Sequence, residues 1–377
     1  MAEFPRDWQV DTIGNLAQLK AGRDRFETSH CDGDYPWYGG NGIRGYSSRH
    51  SYDGIYPIIG RQGELCGNVK LAKGKFSATE HAVVVTCKSE VVPEFFYYSL
   101  TFANLNQYAT GCAQPGLSVQ KIGAIPITLP AFDEQRRIAD ALGSVDKLID
   151  NLTRRIEKKR LVKQGVMQEL LTGKKRLPGF KGEWKRRTLG ELAEITTGAT
   201  PLTSVREYWG GDIRWMNSGE IHHKRINEVA GRITTVGYDA TSTTMLPIHT
   251  VLIALAGQGR TRGTVAITEI PLCTNQSIAG IVPSPAFDSF FLYYYLDNKY
   301  NVLREVSSGD GSRGGLSKTI LERFPVDMPP MRAEQRAIAE VLSDMDAEIA
   351  KLEAKRDKYI DIKRGMMNDL LTGKVRI

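Results

Sequence analysis

Side chains suited to recognising flat, hydrogen-bonding surfaces recur on glycine-rich stretches of this chain. Asn41 and Arg44 lie in YGGNGIRGY, Arg61 and Gln62 in GRQG, and Lys73 and Lys75 in LAKGKF. Further on, Arg214, Asn217 and Ser218 lie in DIRWMNSGE, Gln258, Arg260 and Arg262 in GQGRTRG, and Arg313 in GDGSRGG. An arginine fork matches the paired acceptors of guanine, and an Asn or Gln amide matches the donor and acceptor of adenine. Glycine lets a backbone come close to such a surface. The chemistry these residues could do is recognition of base edges; the plainer alternative is ordinary surface loops.

Catalytic motifs are missing. The glycine-lysine pairs are followed by Phe76, Lys175 and Val375, so none forms a phosphate-binding GxxxxGK[ST] loop, and neither a GxSxG elbow nor an HExxH pair occurs. The neighbours His30/Cys31 and His222/His223 lack the convergent spacing of a metal site. Cys31, Cys66, Cys87, Cys112 and Cys273 are scattered without a CxxC pair, as reduced thiols would be. The expectation is no catalytic residue, no metal and no cofactor. The aromatic runs Phe95–Tyr98 and Tyr293–Tyr295 could stack on bases, but they read better as core.

Elements must place those loops, and 377 residues suit two or three domains. No apolar run approaches the ~20 residues of a membrane span and no secretory leader is evident, so a cytoplasmic protein is expected. The net charge of +7 is concentrated in residues 151–187, which hold 13 Lys/Arg against 3 Glu. That stretch favours a polyanion, or is a solvated helix end.

An internal repeat organises the chain. Residues 133–177 align with 333–377 without a gap, 19 of 45 positions being identical. Ile138, Leu142, Val145, Ile149, Leu152 and Ile156 step by alternating fours and threes, as do Ile338, Leu342, Met345, Ile349 and Leu352. Those are heptad seams, each on a helix of about 40 residues or ~60 Å. Pro130 and Pro329 precede the two starts, and Gly173 and Gly373 follow the two ends. A compact domain between the helices has a radius of only ~15 Å, too small to return the chain along a ~60 Å rod, so the pair should be antiparallel. The segments before each helix are related more faintly. Phe4, Trp8, Thr12 and Gly14 match Phe180, Trp184, Thr188 and Gly190, and RQGELCGNV at 61 matches GQGRTRGTV at 257. The expected fold is α+β: two α/β domains separated by a long antiparallel two-helix coiled coil, with pseudo-twofold symmetry. Its parts are residues 1–132, 133–177, 178–331 and 332–377, with the C-terminus near the N-terminus.

These strings resemble the specificity (S) subunit of type I restriction-modification systems. YPWYGGNGIRGY, ATEHAVVV, TPLTSVREYWGGDIRWMNSGEI and CTNQSIAGI are similar to recurrent strings of its target recognition domains. EQRRIADALGSVDKLI and EQRAIAEVLSDMDAEI, each with its later LLTGK, are similar to its two helical regions. The resemblance implies double-stranded DNA as a partner, read as two halves of an asymmetric, interrupted site. It also implies two methyltransferase (M) subunits docked on the helices, and restriction (R) subunits carrying the translocase and nuclease. The chain lacks the NPPY- or DPPY-type tetrapeptide of a methyltransferase, so the methyl donor and ATP belong to those partners. Two rival readings are a coiled-coil adaptor that ignores DNA and a stand-alone DNA-modifying enzyme.

Overall fold

The computed structural model describes residues 4–23, 33–111, 115–257, 259–307 and 315–377. The chain divides into two compact units, Met1–Arg155 with Leu352–Ile377, and Ile156–Lys351. Each long helix therefore gives one end to each unit.

Unit 1 runs β1 (Gln9–Thr12), α1 (Ile13–Leu16), β2 (Ala17–Ala21), β3 (Tyr35–Gly39), β4 (Gly42–Ser47), β5 (Tyr52–Gly60), β6 (Val69–Ala78), β7 (Ala82–Cys87), α2 (Pro93–Phe102), α3 (Val119–Gly123) and β8 (Pro126–Leu129), then enters the long helix α4 (Phe132–Leu170). Its main sheet has the order β2-β7-β5-β6-β3-β4, antiparallel except where β3 meets β6. The run AVVV in β7 is apolar without alternation because both faces of the sheet are covered. Val83 and Val85 join a core with α2 and the long helices, while Val84 joins Ile58 and Phe76 on the other face. Pro93 opens α2, where a missing N–H costs nothing.

Unit 2 repeats the plan with β9 (Lys185–Thr188), α5 (Leu189–Leu192), β10 (Ile195–Thr197), β11 (Trp209–Met216), β12 (Arg225–Ile226), β13 (Arg232–Ile233), α6 (Thr235–Asp239), β14 (Val251–Ala254), β15 (Val265–Thr268), β16 (Cys273–Thr274), β17 (Ile278–Ile281), α7 (Ser289–Asn298), α8 (Tyr300–Val306), α9 (Lys318–Glu322) and β18 (Pro325–Met328), before the second long helix α10 (Arg332–Leu370). The order β10-β17-β14-β15-β12 matches β2-β7-β5-β6 in its first four strands, and the β9–β18 pair matches β1–β8. The aromatic runs are core, since Phe95, Phe96, Tyr98, Tyr293, Tyr294 and Tyr295 are all buried.

The long helices join each unit through the same set of contacts. Every member of both heptad seams is buried or half-buried. Inside unit 1 the two helix segments run in opposite directions, since Asp146 pairs with Lys363 at 2.7 Å and Arg137 Nε donates to the Ile377 carbonyl at 2.8 Å. Inside unit 2 the same sense follows from Lys163–Asp346 at 2.5 Å and Lys159–Glu348 at 2.8 Å. Arg376 grips Glu134 through two hydrogen bonds of 2.5 and 2.7 Å, and Arg176 grips Glu334 through two of 2.5 and 2.6 Å. The glutamates are 5% and 0% exposed. Gly173 and Gly373 end the helices at φ +70 and +71, with Trp184 packed on the first and Pro5 on the second. Arg376 also bonds Asp7 at 2.8 Å, so the N-terminal segment lies against the C-terminal one.

Two buried networks repeat alongside. The Tyr98 hydroxyl donates to Asp146 and the Tyr294 hydroxyl to Asp346, both at 2.7 Å, while Lys363 and Lys163 sit over the respective rings. Burial pushes the Tyr294 hydroxyl up to about 12, so these phenols stay protonated donors. Gln135, 1% exposed, accepts from Val92 N at 2.9 Å and donates to the Pro130 and Glu90 carbonyls at 2.9 and 3.1 Å. Gln335 accepts from Asp288 N at 2.8 Å and donates to the Pro329 carbonyl at 2.9 Å.

A test follows from these amides. Gln135→Ala strands a buried backbone N–H, and leaving one such group unpaired costs about 1–3 kcal/mol. Denaturant unfolding should show a loss of about that size; a midpoint equal to wild type would mean that water replaces the amide.

Candidate nucleic-acid interface

In unit 1 the structure brings four of the sequence-selected residues to one end of the sheet. Asn41 sits in the β3–β4 turn, and its side-chain oxygen accepts from Asn68 Nδ2 at 3.0 Å, tying the turn to the β5–β6 loop. The turn approaches so closely that a Cβ on Gly60 would come within 1.9 Å of the Gly40 carbonyl oxygen. Arg44 is exposed on the edge strand β4, its stem lying over Gly39, where a Cβ would meet Arg44 Cδ at 2.3 Å. Arg61 and Gln62 open the β5–β6 loop, and Arg61 Nε is buried without a hydrogen-bond partner. Gln62 is exposed. Lys73 stands apart in mid-β6, 3.6 Å from Glu94, where with Asn41 it lines a cleft of about 1270 Å³ beside α2 and α4. Lys75 is exposed on the same strand.

In unit 2, Arg260 and Arg262 lie on the β14–β15 loop, Arg260 exposed and Arg262 half-buried. His222 joins that loop to the 3-10 turn Ser218–His223 by a 3.2 Å contact with the Thr261 hydroxyl. Asn217 has a job that sequence reasoning did not foresee, because it caps this turn. Its Oδ1 accepts from Gly219 N at 2.8 Å, while its Nδ2 donates to Glu220 at 2.9 Å. Ser218 is the first residue of the turn. Arg214 is exposed on β11, across the ladder from Arg232 on β13, whose guanidinium donates to the Val229 and Gly231 carbonyls. Gln258 and Arg313 lie outside the described residues.

The two loops share one backbone. Gly67 N donates to the Gly60 carbonyl, and Gly263 N to the Ala254 carbonyl. Leu117 N donates to Arg61 O, and Leu316 N to Leu255 O. Gly63 and Gly67 have φ +83 and +85, and Gly259 and Gly263 have +61 and +81, a region that side-chain-bearing residues rarely adopt. The hydrogen bonds revise the ungapped alignment of the two strings: Arg61 stands where Leu255 stands, and the second loop is two residues longer. The two extra residues fall between Leu255 and Gly259, so Arg260 stands where Glu64 stands and Arg262 where Cys66 stands.

Among the described residues each loop is held by contacts that were not picked out by sequence. The first is braced by main chain, through the Gln62–Gly116 and Thr110–Gly116 bridges and a 3.0 Å bond from Gly63 N to the Pro115 carbonyl. One side chain helps, Asn106 donating to the Cys66 carbonyl at 2.7 Å. The second is held by side chains from α8. Tyr300 Oη donates to the Arg260 carbonyl at 2.9 Å, and Arg304 Nη1 to the Gly259 carbonyl at 2.7 Å. A Tyr and an Arg four residues apart on a short helix carry no recognisable signal until their targets are known.

Comparison with known proteins agrees with this duplicated geometry. A family described as the type I restriction modification DNA specificity domain matches residues 5–159 and 181–361. The type I restriction enzyme EcoprrI specificity subunit of Escherichia coli is 43% identical over 150 residues, 38% of this chain and 37% of that protein's length. The putative type I restriction enzyme MjaX specificity subunit of Methanocaldococcus jannaschii is 25% identical over 335 residues, 83% of this chain and 76% of that protein. The crystal structure of the type I restriction-modification S subunit from M. genitalium superposes with a TM-score of 0.71 at 18% identity, covering 96% of both chains, and so shares the fold. With two matched segments that carry the same loop skeleton at equivalent places, the chain belongs to the family of type I restriction-modification specificity subunits.

Proposed function

We propose that each unit reads its own half of an asymmetric, interrupted DNA site, the β5–β6 loop with the β3–β4 turn serving one half and the β14–β15 loop serving the other. The observation that carries this reading is one loop backbone dressed with different polar side chains in the two units: a duplicated frame suits two copies of one geometry, and divergent side chains suit two different sequences. The buried, unpaired Arg61 Nε and the exposed Arg214 both favour an anionic or acceptor-rich partner.

The long helices, in this reading, form an antiparallel coiled-coil spacer between the target recognition domains and present two equivalent faces to two methyltransferase subunits. Exposed apolar residues on them support a protein partner, among them Leu161 at 68%, Val162 at 48% and Ile362 at 40%. The methyl donor, ATP and the chemistry then belong to the modification and restriction subunits, and this chain is a non-catalytic, cytoplasmic recognition subunit. Incubating it with duplex DNA and labelled methyl donor, with and without the modification subunit, should give methyl transfer only when that subunit is present. Transfer by the chain alone would make it an enzyme, and no DNA binding in either case would leave an adaptor.

Exchanging residues 180–330 for the matching segment of a relative should change one half of the methylated motif and leave the other half unchanged, as read by methylation-motif sequencing. Within the loop, Arg260→Ala or Arg262→Ala, wherever the arginine contacts guanine bidentately, should cost about 1–3 kcal/mol and relax only that half. Scrambling of both halves would mean that the units do not read independently. The helices give a separate expectation: seven residues inserted after both Leu152 and Leu352 lengthen each by ~10 Å and should widen the unread gap between unchanged half-sites. An unchanged gap would remove the helices as the ruler.

A further inference from the structure

We infer that Tyr300 and Arg304 are positioning residues for the second half-site: they set the shape of the β14–β15 loop and so determine how strictly Arg260 and Arg262 discriminate. This rests on the proposal that the loop reads DNA. Glycines at φ +138, +61 and +81 (Gly257, Gly259 and Gly263) leave the loop free to adopt other backbone states, and ordering such a segment only on binding weakens discrimination. Two side chains on α8 remove that freedom. Arg304 reaches the Gly259 carbonyl at 2.7 Å and the Arg262 carbonyl at 3.5 Å, and Tyr300 holds the carbonyl of Arg260.

The brace is itself organised. Arg304 Nη1 donates to the Tyr300 hydroxyl at 3.0 Å and its guanidinium lies 5.6 Å from the centre of the Tyr300 ring. A Cβ on Gly263 would stand 3.2 Å from Arg304 Cγ, so the loop's last glycine also admits the arginine stem. Because the bonds go to main-chain carbonyls, they fix backbone positions on both sides of the reading side chains while leaving those side chains outward. Among the described residues the first loop is held by backbone bridges to residues 110–117, and unit 1 serves as an internal control.

The test uses the full chain coexpressed with its modification subunit, on duplexes carrying the motif that methylation sequencing finds for wild type. Companion duplexes are changed at one base in either half. Removing one hydrogen bond of about 1 kcal/mol corresponds to about fivefold in affinity. Tyr300→Phe should therefore lower discrimination against second-half changes by about fivefold, and Arg304→Ala by more, with first-half discrimination unchanged. Arg304→Lys should recover part of the loss, since it restores one donor near the Gly259 carbonyl. Should Arg304→Ala fail to fold, Tyr300→Phe and Arg304→Lys still decide. If Arg260→Ala or Arg262→Ala relaxes the second half while Tyr300→Phe and the Arg304 variants do not, the brace is overturned and the reading loop stands. If neither loop arginine matters for either half, the reading loop falls and the brace with it. Equal losses in both halves would make Tyr300 and Arg304 merely structural and would also overturn the proposal.

Discussion

The architecture depends on one interaction made twice, a buried glutamate at the start of one long helix held in the fork of an arginine just past the end of the other. Glu134 and Glu334 are almost fully buried, and an isolated carboxylate there would be strongly unfavourable. A two-point arginine contact provides compensation that a lysine could not match in direction. Because the two partners come from different repeats, the pair is satisfied only when the helix segments of a unit lie antiparallel and in register. The Tyr–Asp–Lys networks further along each unit agree with that register, and the buried glutamines fasten each helix start to its own domain.

Much of this frame was legible in the sequence. The heptad spacing of Ile138 to Ile156 and Ile338 to Leu352 gave the helices, and Gly173 and Gly373 gave their ends. What Glu134 and Glu334 of the two EQR strings, and the arginine two residues past each LLTGK, do was not legible. A salt bridge 242 residues long in sequence leaves no periodic trace; only the three-dimensional pairing shows why Glu134 and Arg376 both recur two hundred residues apart in their repeat partners. The capping role of Asn217 was hidden for a related reason, since an amide that caps a turn and an amide that reads a base look alike in one dimension.

The candidate reading loops were legible as glycine-rich and basic, and illegible in register. Identity of the strings at 61 and 257 suggested an ungapped match, whereas the carbonyl of Gly60 and that of Ala254 receive equivalent bonds and force a two-residue insertion between them. Duplication kept the turn-forming glycines and the strands that launch the loop. Length and the outward polar side chains changed, while Cys66 and Leu255 keep each loop seated on its core.

The exchange of helix ends between units has a consequence for how the chain can fold as it is synthesised. Unit 2 is continuous, from Ile156 to Lys351, whereas unit 1 takes its last part from Leu352–Ile377. Although unit 1 begins the chain, its fastening to Glu134 becomes possible only after unit 2 is complete, reversing the usual amino-to-carboxyl order of domain completion. Loop entropy does not set this order: spans of 242 and 158 residues differ in closure cost by less than about 0.6 kcal/mol. The order comes from connectivity alone. Until the final helix turn emerges, the apolar face of α4 that packs against Leu370 and Leu371 in unit 1 is left open, so the chain is exposed to mispairing from the completion of α4 until the end of α10.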